Sequence, residues 1–284
     1  DNKGYVELSK WLKRVTKGTE KPIIVMEATG VYHEGIALYL YNQGYKVSVM
    51  QSGRVKRYAQ SLDQRSKTDA LDSKMLSMLG CERELNTWEP PSPLMQSLKS
   101  LSRERSTLIK ERSIETNRHK AIESSNYQDK RATKRFNQRM KLLKSQSEEI
   151  ETEMLELTNA NVELSRKLAY PMSAPGISFI TAITVVAETS GFALINSGKQ
   201  LTSYAGYDVV LRDSGTFKGK TRISKKGNKH IRAVLHMPSM AAIRFNPTMK
   251  VFYQRLKPKK VKPIVALVAV KRKMLILMYT LWTN

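Results

Sequence analysis

The apolar positions of the first 80 residues alternate between helical and extended patterns. Apolar residues at helical spacing predict a helix that ends near Val15, and a β-branched run at 23–26 predicts a buried strand. A helix at Tyr32–Asn42, which Gly44 would terminate, and a second strand at 45–50 are predicted next. Strand, helix and strand at this spacing indicate a βαβ unit in a largely parallel sheet.

The remainder of this region predicts one more helix and then a break. In the second strand, Lys46 and Ser48 alternate with valines, which is typical of a strand with one polar face. Residues 68–79 place their apolar side chains on one helical face. The proline-rich segment 90–93 ends the pattern and predicts a boundary after a first domain at 1–90.

The middle of the chain has the pattern of two long helices joined by a polar turn at 124–128. Residues 94–122 are helical and highly charged, and residues 140–168 carry a heptad repeat with seven apolar residues at nine core positions. These positions are Met140, Leu143, Ser147, Ile150, Met154, Leu157, Asn161, Leu164 and Leu168. The repeat predicts either a dimerising coiled coil or an antiparallel hairpin packed on its own chain, and both interpretations stay open.

The last third of the chain is predicted to be mostly α-helical. A second boundary at 171–176 separates a helical coiled-coil region at 94–168 from a C-terminal region at 171–284. A glycine-rich loop precedes the helices that are predicted from Lys229 onward. The glycines of this loop are Gly206, Gly215, Gly219 and Gly227.

Positive charge is concentrated in two stretches of the chain. Lys and Arg number 49 and Asp and Glu 25, so the net charge is +24. Residues 209–284 hold 18 cations and one acid, and residues 97–145 hold 14 cations and 5 acids. A surface of one sign suits phosphate, so nucleic acid is the predicted partner. An anionic membrane surface is less favoured, because the C-terminal segment lacks a clean amphipathic helix with basic and aromatic faces.

Composition excludes several classes of protein. A hydrophobic fraction of 40% is enough for a buried core and excludes wholesale disorder. The longest apolar run, at 264–270, is far shorter than the roughly 20 residues of a membrane span. A single cysteine, Cys81, excludes a disulfide framework, and no signal-peptide pattern opens the sequence. We therefore expect a cytoplasmic protein of several domains.

Three carboxylates are candidate metal ligands. Glu27 follows the strand predicted at 23–26, and a carboxylate at the carboxyl end of a strand faces the crevice where ligands bind. Asp69 and Asp72 share one face near the start of a predicted helix. Carboxylate oxygens suit Mg²⁺, but acids at the start of a helix also complement its dipole, so both roles remain open.

The basic loop offers phosphate contacts and one candidate nucleophile. Glycines between cations let the backbone approach phosphates closely. The candidate cations are Lys218, Lys220, Arg222, Lys225, Lys226, Lys229 and Arg232. Ser214 lies beside Gly215 and could attack a substrate, although a Ser-Gly pair is usually a plain turn. His230 is either a phosphate contact or structural.

Five short motifs, in this order, carry a resemblance to a known family. They are Val25-Met26-Glu27-Ala28-Thr29-Gly30-Val31-Tyr32, Lys67-Thr68-Asp69-Ala70-Leu71-Asp72, Pro175-Gly176-Ile177, Ser214-Gly215 and Ile223-Ser224-Lys225-Lys226-Gly227-Asn228. Together they resemble the DEDD insertion-sequence transposases, which include Piv-type DNA invertases and bridge-RNA-guided recombinases. The resemblance implies an α/β RNase H-like (RuvC-type) N-terminal domain, a helical coiled-coil middle and a mostly α C-terminal transposase domain.

The resemblance also implies which residues are catalytic. Glu27, Asp69 and Asp72 match the second, third and fourth acids of the family's tetrad, and Ser214 matches its nucleophilic serine. The first acid, on an opening strand upstream, has no counterpart in a sequence that starts at Asp1. We therefore expect an N-terminally truncated chain whose own activity is reduced.

The expected function is site-specific DNA recombination or transposition through a covalent serine–DNA intermediate. The expected cofactor is Mg²⁺, with Mn²⁺ as its substitute. The expected partners are DNA, a structured guide RNA and further copies of the chain in a dimer or tetramer. Two alternatives are a junction-resolving nuclease that uses water as the nucleophile and a non-catalytic scaffold that binds nucleic acid.

Overall fold

The structure is a computed structural model, and it forms two compact units, Asp1–Pro91 and Ser92–Asn284. It describes residues 2–17, 20–30, 32–63, 66, 68–125, 129–193, 195–211, 213–219, 222–259 and 262–284. The first unit contains α1 (Asn2–Val15), β1 (Ile24–Glu27), α2 (Tyr32–Asn42), β2 (Val47–Met50), α3 (Ser52–Ser61) and α4 (Asp69–Glu82).

The predicted parallel strand pair is confirmed. β1 and β2 pair in parallel, with Ile24 opposite Val47 and Glu27 opposite Met50. α2 has the predicted bounds, and Gly44 follows it at a φ of 77°. This left-handed conformation is one that glycine adopts without strain.

Three predictions for this unit are wrong in detail. Glu27 is the last residue of β1 and does not follow it. The second strand begins two residues later than predicted, and Ser48 is as buried as its valine neighbour, because its hydroxyl donates to the carbonyl of Asn86 at 2.9 Å. The strand therefore has no polar face, as is common in parallel sheets. The helix α3 was not predicted.

The second unit begins with a long antiparallel helical hairpin. Its helices are α5 (Pro93–Glu123) and α6 (Lys130–Asn159), which begin after the capping residues Ser92 and Asp129. Ion pairs at 2.6–2.8 Å join Arg105 to Glu151 and Arg139 to Glu115. Of the two interpretations left open by the sequence, the structure shows the antiparallel hairpin.

The heptad repeat does not lie on one continuous helix. α6 ends at Asn159, and α7 (Val162–Met172) begins after Asn161, whose side-chain oxygen accepts from Leu164 N at 2.9 Å. Asn161 therefore caps a helix, and its assignment to a core position was wrong. A polar residue that satisfies backbone N–H groups is more stable at a helix start than in a seam.

The remaining elements complete the second unit. They are α8 (Phe179–Glu188), α9 (Gly198–Tyr204), β3 (Val209–Val210), β4 (Asp213–Ser214), β5 (Phe217–Lys218), β6 (Arg222–Ile223), α10 (Lys229–Val234), α11 (His236–Phe245), α12 (Pro247–Leu256), a 3₁₀ helix (Lys257–Lys259) and α13 (Pro263–Thr283). The short strands pair antiparallel, β3 with β6 and β4 with β5. No helix in the described ranges has the length and apolar character needed to cross a membrane.

One hydrophobic core runs through the second unit. It includes Leu98 on α5, Met154 on α6, Leu168 on α7, Ile183 on α8 and Met274 on α13, all of them almost fully buried. The predicted regions 94–168 and 171–284 therefore share a core. The buried half of the heptad seam packs on its own chain.

Candidate functional site

Glu27 lies at the carboxyl end of β1, half-buried, beside the start of α3. Ala28 N donates to Met50 O at 2.8 Å, and the Ser52 hydroxyl donates to Ala28 O at 3.1 Å. These bonds hold the ends of both strands and the first turn of α3 together. The backbone that carries Glu27 is thus fixed at the edge where ligands bind in α/β sheets.

Asp69 and Asp72 lie in the first turn of α4, which Thr68 caps by accepting from Leu71 N at 3.3 Å. The side chain of Asp69 is exposed and that of Asp72 is half-buried. Acids in a first turn also complement the helix dipole. Both carboxylates are therefore placed where they stabilise the helix and remain accessible to a ligand.

Packing directs the start of α4 toward the strand end that carries Glu27. Gly80, near the end of α4, lies so close to β1 that an added Cβ would be 2.9 Å from a methyl carbon of Val25. Met75, one turn after Asp72, belongs to the same apolar cluster as Met50, which pairs with Glu27. The helix therefore runs from the carboxyl ends of the strands toward their amino ends.

The three acids share this end of the unit but do not form a closed coordination shell. Across the described residues, no three His, Cys, Asp or Glu side chains form a group that could hold a metal ion. The donor atoms have the right chemistry, because carboxylate oxygens are the ligands that Mg²⁺ prefers. A metal at this position is therefore a proposal.

Ser214 lies in a small exposed hairpin of the second unit. It ends β4 opposite Phe217 of β5, and the turn between them contains Gly215 at a φ of 55°. Asp213 stabilises the hairpin by accepting from Gly219 N at 3.2 Å. Ser214 itself is exposed. The hairpin thus presents a hydroxyl to solvent on a turn that glycine permits.

The predicted phosphate contacts divide into exposed cations and one structural arginine. Arg222, Lys225, Lys226 and Lys229 are exposed. Arg232 is half-buried, and its guanidinium donates to Ala205 O at 2.8 Å and to Gly227 O at 3.0 Å. Lys220 and the side chain of Lys218 lie outside the described residues. The first four cations are therefore the surface available to phosphate.

The loop that carries these cations, residues 222–232, is called the cation loop. Close packing against the end of α9 holds it in place. Lys225 N donates to Gly206 O at 3.1 Å, and Asn228 N donates to Tyr204 O at 2.8 Å. A Cβ on Gly227 would lie 2.4 Å from Tyr204 O and 2.6 Å from Gly206 N. Only glycine fits this position without moving backbone, so the loop geometry depends on it.

Sequence reasoning did not identify the buried carboxylate of Glu188, which ends the apolar helix α8. Arg103 donates to both of its oxygens, at 2.7 and 2.9 Å, and Asn228 Nδ2 donates to Oε2 at 2.6 Å. The other end of the Asn228 side chain caps α10 by accepting from His230 N and Ile231 N. Glu188 thus connects α5 to the cation loop. A lone acid at the end of an apolar run was the available signal.

Titration of this network follows from burial and charge. Burial raises the pKa of Glu188, but hydrogen bonds from Arg103 and Asn228 lower it more, and the net pKa lies below its ordinary 4.5. Burial lowers the pKa of His230 below 6.5, although the Glu188 carboxylate acts in the opposite direction. At neutral pH, Glu188 is charged and His230 is neutral.

Two other hydroxyl groups near the cation loop are less suited to attack a substrate. Tyr207 is 2% exposed, and burial raises the pKa of its phenol. The Ser224 hydroxyl donates to the Asp208 carboxylate at 2.6 Å and accepts from Lys226 N. Ser214 is thus more accessible than Tyr207, and its surroundings are more open than those of Ser224.

Two family profiles match this chain. One, for IS110-type DEDD proteins and described as "Transposase", matches residues 2–122, which include all three candidate acids. The other, described as "Transposase IS116/IS110/IS902 family", matches residues 170–254, which include Ser214 and the cation loop. The chain belongs to the IS110-type DEDD transposases. The resemblance of the short motifs is therefore confirmed over most of the chain.

Two curated relatives of this IS110-type transposase are similar along nearly its full length, and a third matches a part of it. The pilin gene-inverting protein of Moraxella lacunata is 27% identical over 98% of this chain and 85% of its own length. Its counterpart from Moraxella bovis is 26% identical with the same coverage. The insertion element IS900 uncharacterized 42 kDa protein of Mycobacterium paratuberculosis is 26% identical over 37% of this chain and 26% of its own length.

Membership of this family establishes the class of activity. The IS110-type transposase is a DNA transposase or recombinase, and it binds DNA. The family generally uses divalent metal ions. Family membership does not by itself assign roles to Ser214 or to the three carboxylates.

Proposed function

We propose that this IS110-type transposase performs site-specific DNA recombination through a covalent serine–DNA intermediate formed by Ser214. The observation that carries the proposal is the exposure of Ser214 on a short hairpin, in the same unit as a loop of exposed cations. The cations, Arg222, Lys225, Lys226 and Lys229, hold the DNA backbone by neutralising phosphates.

The proposed step exchanges one phosphate ester bond for another. Ser214 Oγ bonds to phosphorus while the bond from phosphorus to the leaving DNA oxygen breaks. The serine proton passes to solvent, and the leaving oxygen takes a proton from solvent to become a DNA hydroxyl, so atoms and charge balance. The phosphoserine ester keeps the energy of the broken bond available for joining a new strand.

The proposed role of the first unit is that of an RNase H-like (RuvC-type) catalytic domain. Its parallel strand pair and the placement of Glu27 at the carboxyl end of β1 support this assignment. Glu27, Asp69 and Asp72 are the residues that would hold Mg²⁺, or Mn²⁺ in its place. A bound divalent cation supplies positive charge that stabilises charge developing on a phosphate.

The proposed partners beyond DNA are a structured guide RNA and further copies of the chain. The strongly basic segment 209–284 supports a second polyanion, because it holds 18 cations against one acid. The half of the α5–α6 hairpin that is nearest its turn, called the outer half, is partly exposed, which is consistent with a dimer or tetramer.

Loss of a covalent adduct in Ser214→Ala tests the proposal. With Mg²⁺ and its DNA site, we expect the protein to yield a protein–DNA adduct that survives denaturation. Ser214→Ala should abolish the adduct while DNA affinity stays within about tenfold, because a neutral hydrogen bond contributes only about 0.5–1.5 kcal/mol. Asp69→Asn should also abolish it.

A matched control lies two residues away. Thr216 is an exposed hydroxyl in the turn of the same hairpin, so Thr216→Ala should retain the adduct. An adduct that persists in Ser214→Ala and maps to Ser224 or Tyr207 would contradict the assignment of the nucleophile. DNA cleaved without any adduct would indicate the nuclease that uses water.

A further inference from the structure

The first half of α6 carries an exposed face of lysines and amides. This face, the α6 lysine stripe, comprises Lys130, Lys134, Asn137, Gln138 and Lys141 together with Thr133. At a rise of 1.5 Å per residue, the stripe extends about 16 Å along the helix.

Ion pairing distinguishes this stripe from Arg135 and Arg139 of the same helix. Arg135 pairs with Asp129 at 3.5 Å, and Arg139 pairs with Glu115 at 2.8 Å. Among the residues that the structure describes, no carboxylate pairs with Lys130, Lys134 or Lys141. The charge of the stripe is thus available to an external anion.

The charge order along α6 opposes the stability of the helix. Residues 130–144 contain seven Lys and Arg and no acid, whereas residues 145–159 contain five Glu and no cation. The helix dipole favours acids near the N-terminus and cations near the C-terminus, which is the reverse order. The stability of the helix therefore does not explain why its first half is basic, whereas binding to an anionic partner does.

We propose that the α6 lysine stripe binds the sugar-phosphate backbone of duplex DNA. Lysines act as point charges for phosphate, and Asn and Gln amides donate hydrogen bonds to phosphate oxygens. The stripe carries no aromatic ring on which an unpaired base could stack, which favours a duplex over a single strand. This surface is separate from the loop at 222–232 and adds a second grip on the DNA.

The salt dependence of binding to a 30-bp duplex tests the proposal, with matched double variants of one helix. K134Q/K141Q removes two charges from the stripe, and R135Q/R139Q removes two paired charges from the adjoining face. At about 0.9 per phosphate, K134Q/K141Q should lower the slope of log affinity against log salt by about 1.8. Affinity near 100 mM salt should fall about tenfold, and the control should change the slope by less than about 0.5.

Further variants and ligands distinguish a loss of the proposed contact from a folding defect and from binding to RNA. They also test the proposal separately from the proposed function. K134R/K141R should restore the slope, which a folding defect would not allow. Equal slopes for the two doubles would overturn the proposal, as would a loss confined to an RNA hairpin of the same length. K225Q/K226Q reports on the loop alone, so a loss there with an unchanged K134Q/K141Q would refute the stripe and leave the proposed recombination intact.

Discussion

Arg103 Nε donates to Glu188 Oε1 at 2.7 Å across 85 residues of sequence, and the arginine Nη2 donates to Oε2 at 2.9 Å. The glutamate side chain is fully buried, whereas the arginine remains 45% exposed. The same carboxylate accepts from Asn228, which lies among the cations of the loop and caps α10. The helical hairpin and the proposed DNA contacts are thus connected through one acid.

Removal of the arginine should destabilise the second unit. Arg103→Gln leaves the buried Glu188 with fewer charged donors, and we expect the free energy of unfolding to fall by about 1–3 kcal/mol. For a unit of this size, each kcal/mol of lost stability lowers Tm by a few degrees. Arg105→Gln is the control, because Arg105 pairs with a 38% exposed Glu151 and should change stability by less than about 1 kcal/mol. Equal decreases in Tm for Arg103→Gln and Arg105→Gln would contradict a special role for Arg103.

Acid should weaken the second unit in two stages. The pKa of His230 is lowered in the folded protein, so the unfolded chain takes up its proton first, and stability falls as pH drops below about 6.5. The pKa of Glu188 is also lowered, so its contribution is present above about 4.5 and is lost as pH falls through the folded pKa.

Denaturant unfolding between pH 7.5 and 3.5 measures these two stages. His230→Gln should reduce the loss of stability in the upper stage, below about pH 6.5. It should leave the loss in the lower stage, below about pH 4.5, unchanged. Part of the upper stage should remain, because Lys271 lowers the pKa of His236 in the same direction. An unchanged pH profile in His230→Gln would show that another group titrates.

Gly227→Ala should displace the cation loop. The added Cβ would lie 2.4 Å from a backbone oxygen, so we expect about 1–3 kcal/mol of destabilisation and weaker DNA binding. Gly53→Ala is the control, because nothing lies within 4 Å of its Cβ position in α3. Unfolding curves and DNA titrations of both variants check the expectation, which fails if Gly227→Ala binds DNA normally.

Self-association should depend on the outer half of the hairpin. Leu142 is 58% exposed, whereas Ile150 is 7% exposed and packs in the core of its own chain. In sedimentation at tens of micromolar, Leu142→Lys should shift any dimer or tetramer toward monomer. Ile150→Lys should instead lower the unfolding midpoint. Unchanged sedimentation of Leu142→Lys would place the contact between copies elsewhere.

Patterns that depend on near neighbours were predicted well. The bounds of α2 and its terminating glycine follow from helical spacing, and the parallel strand pair follows from the order strand, helix, strand. Glu27 was predicted to follow a strand, and Asp69 and Asp72 to share one face at the start of a helix. Only the packing of α4 against β1 brings all three to the same end of the unit. The break at Asn161 was missed, because the heptad spacing continues across a capping residue.

The sequence by itself determined the family, the basic partner surface and the candidate residues, because each depends on residue types at short spacings. The tertiary structure alone decided which side chains lose contact with water and which partners they meet. In the sequence, Glu188 is a single acid at the end of an apolar run. In the fold it is buried and paired, because Arg103 approaches from 85 residues away. Tyr207 loses its accessibility for the same reason, since burial depends on contacts between distant segments.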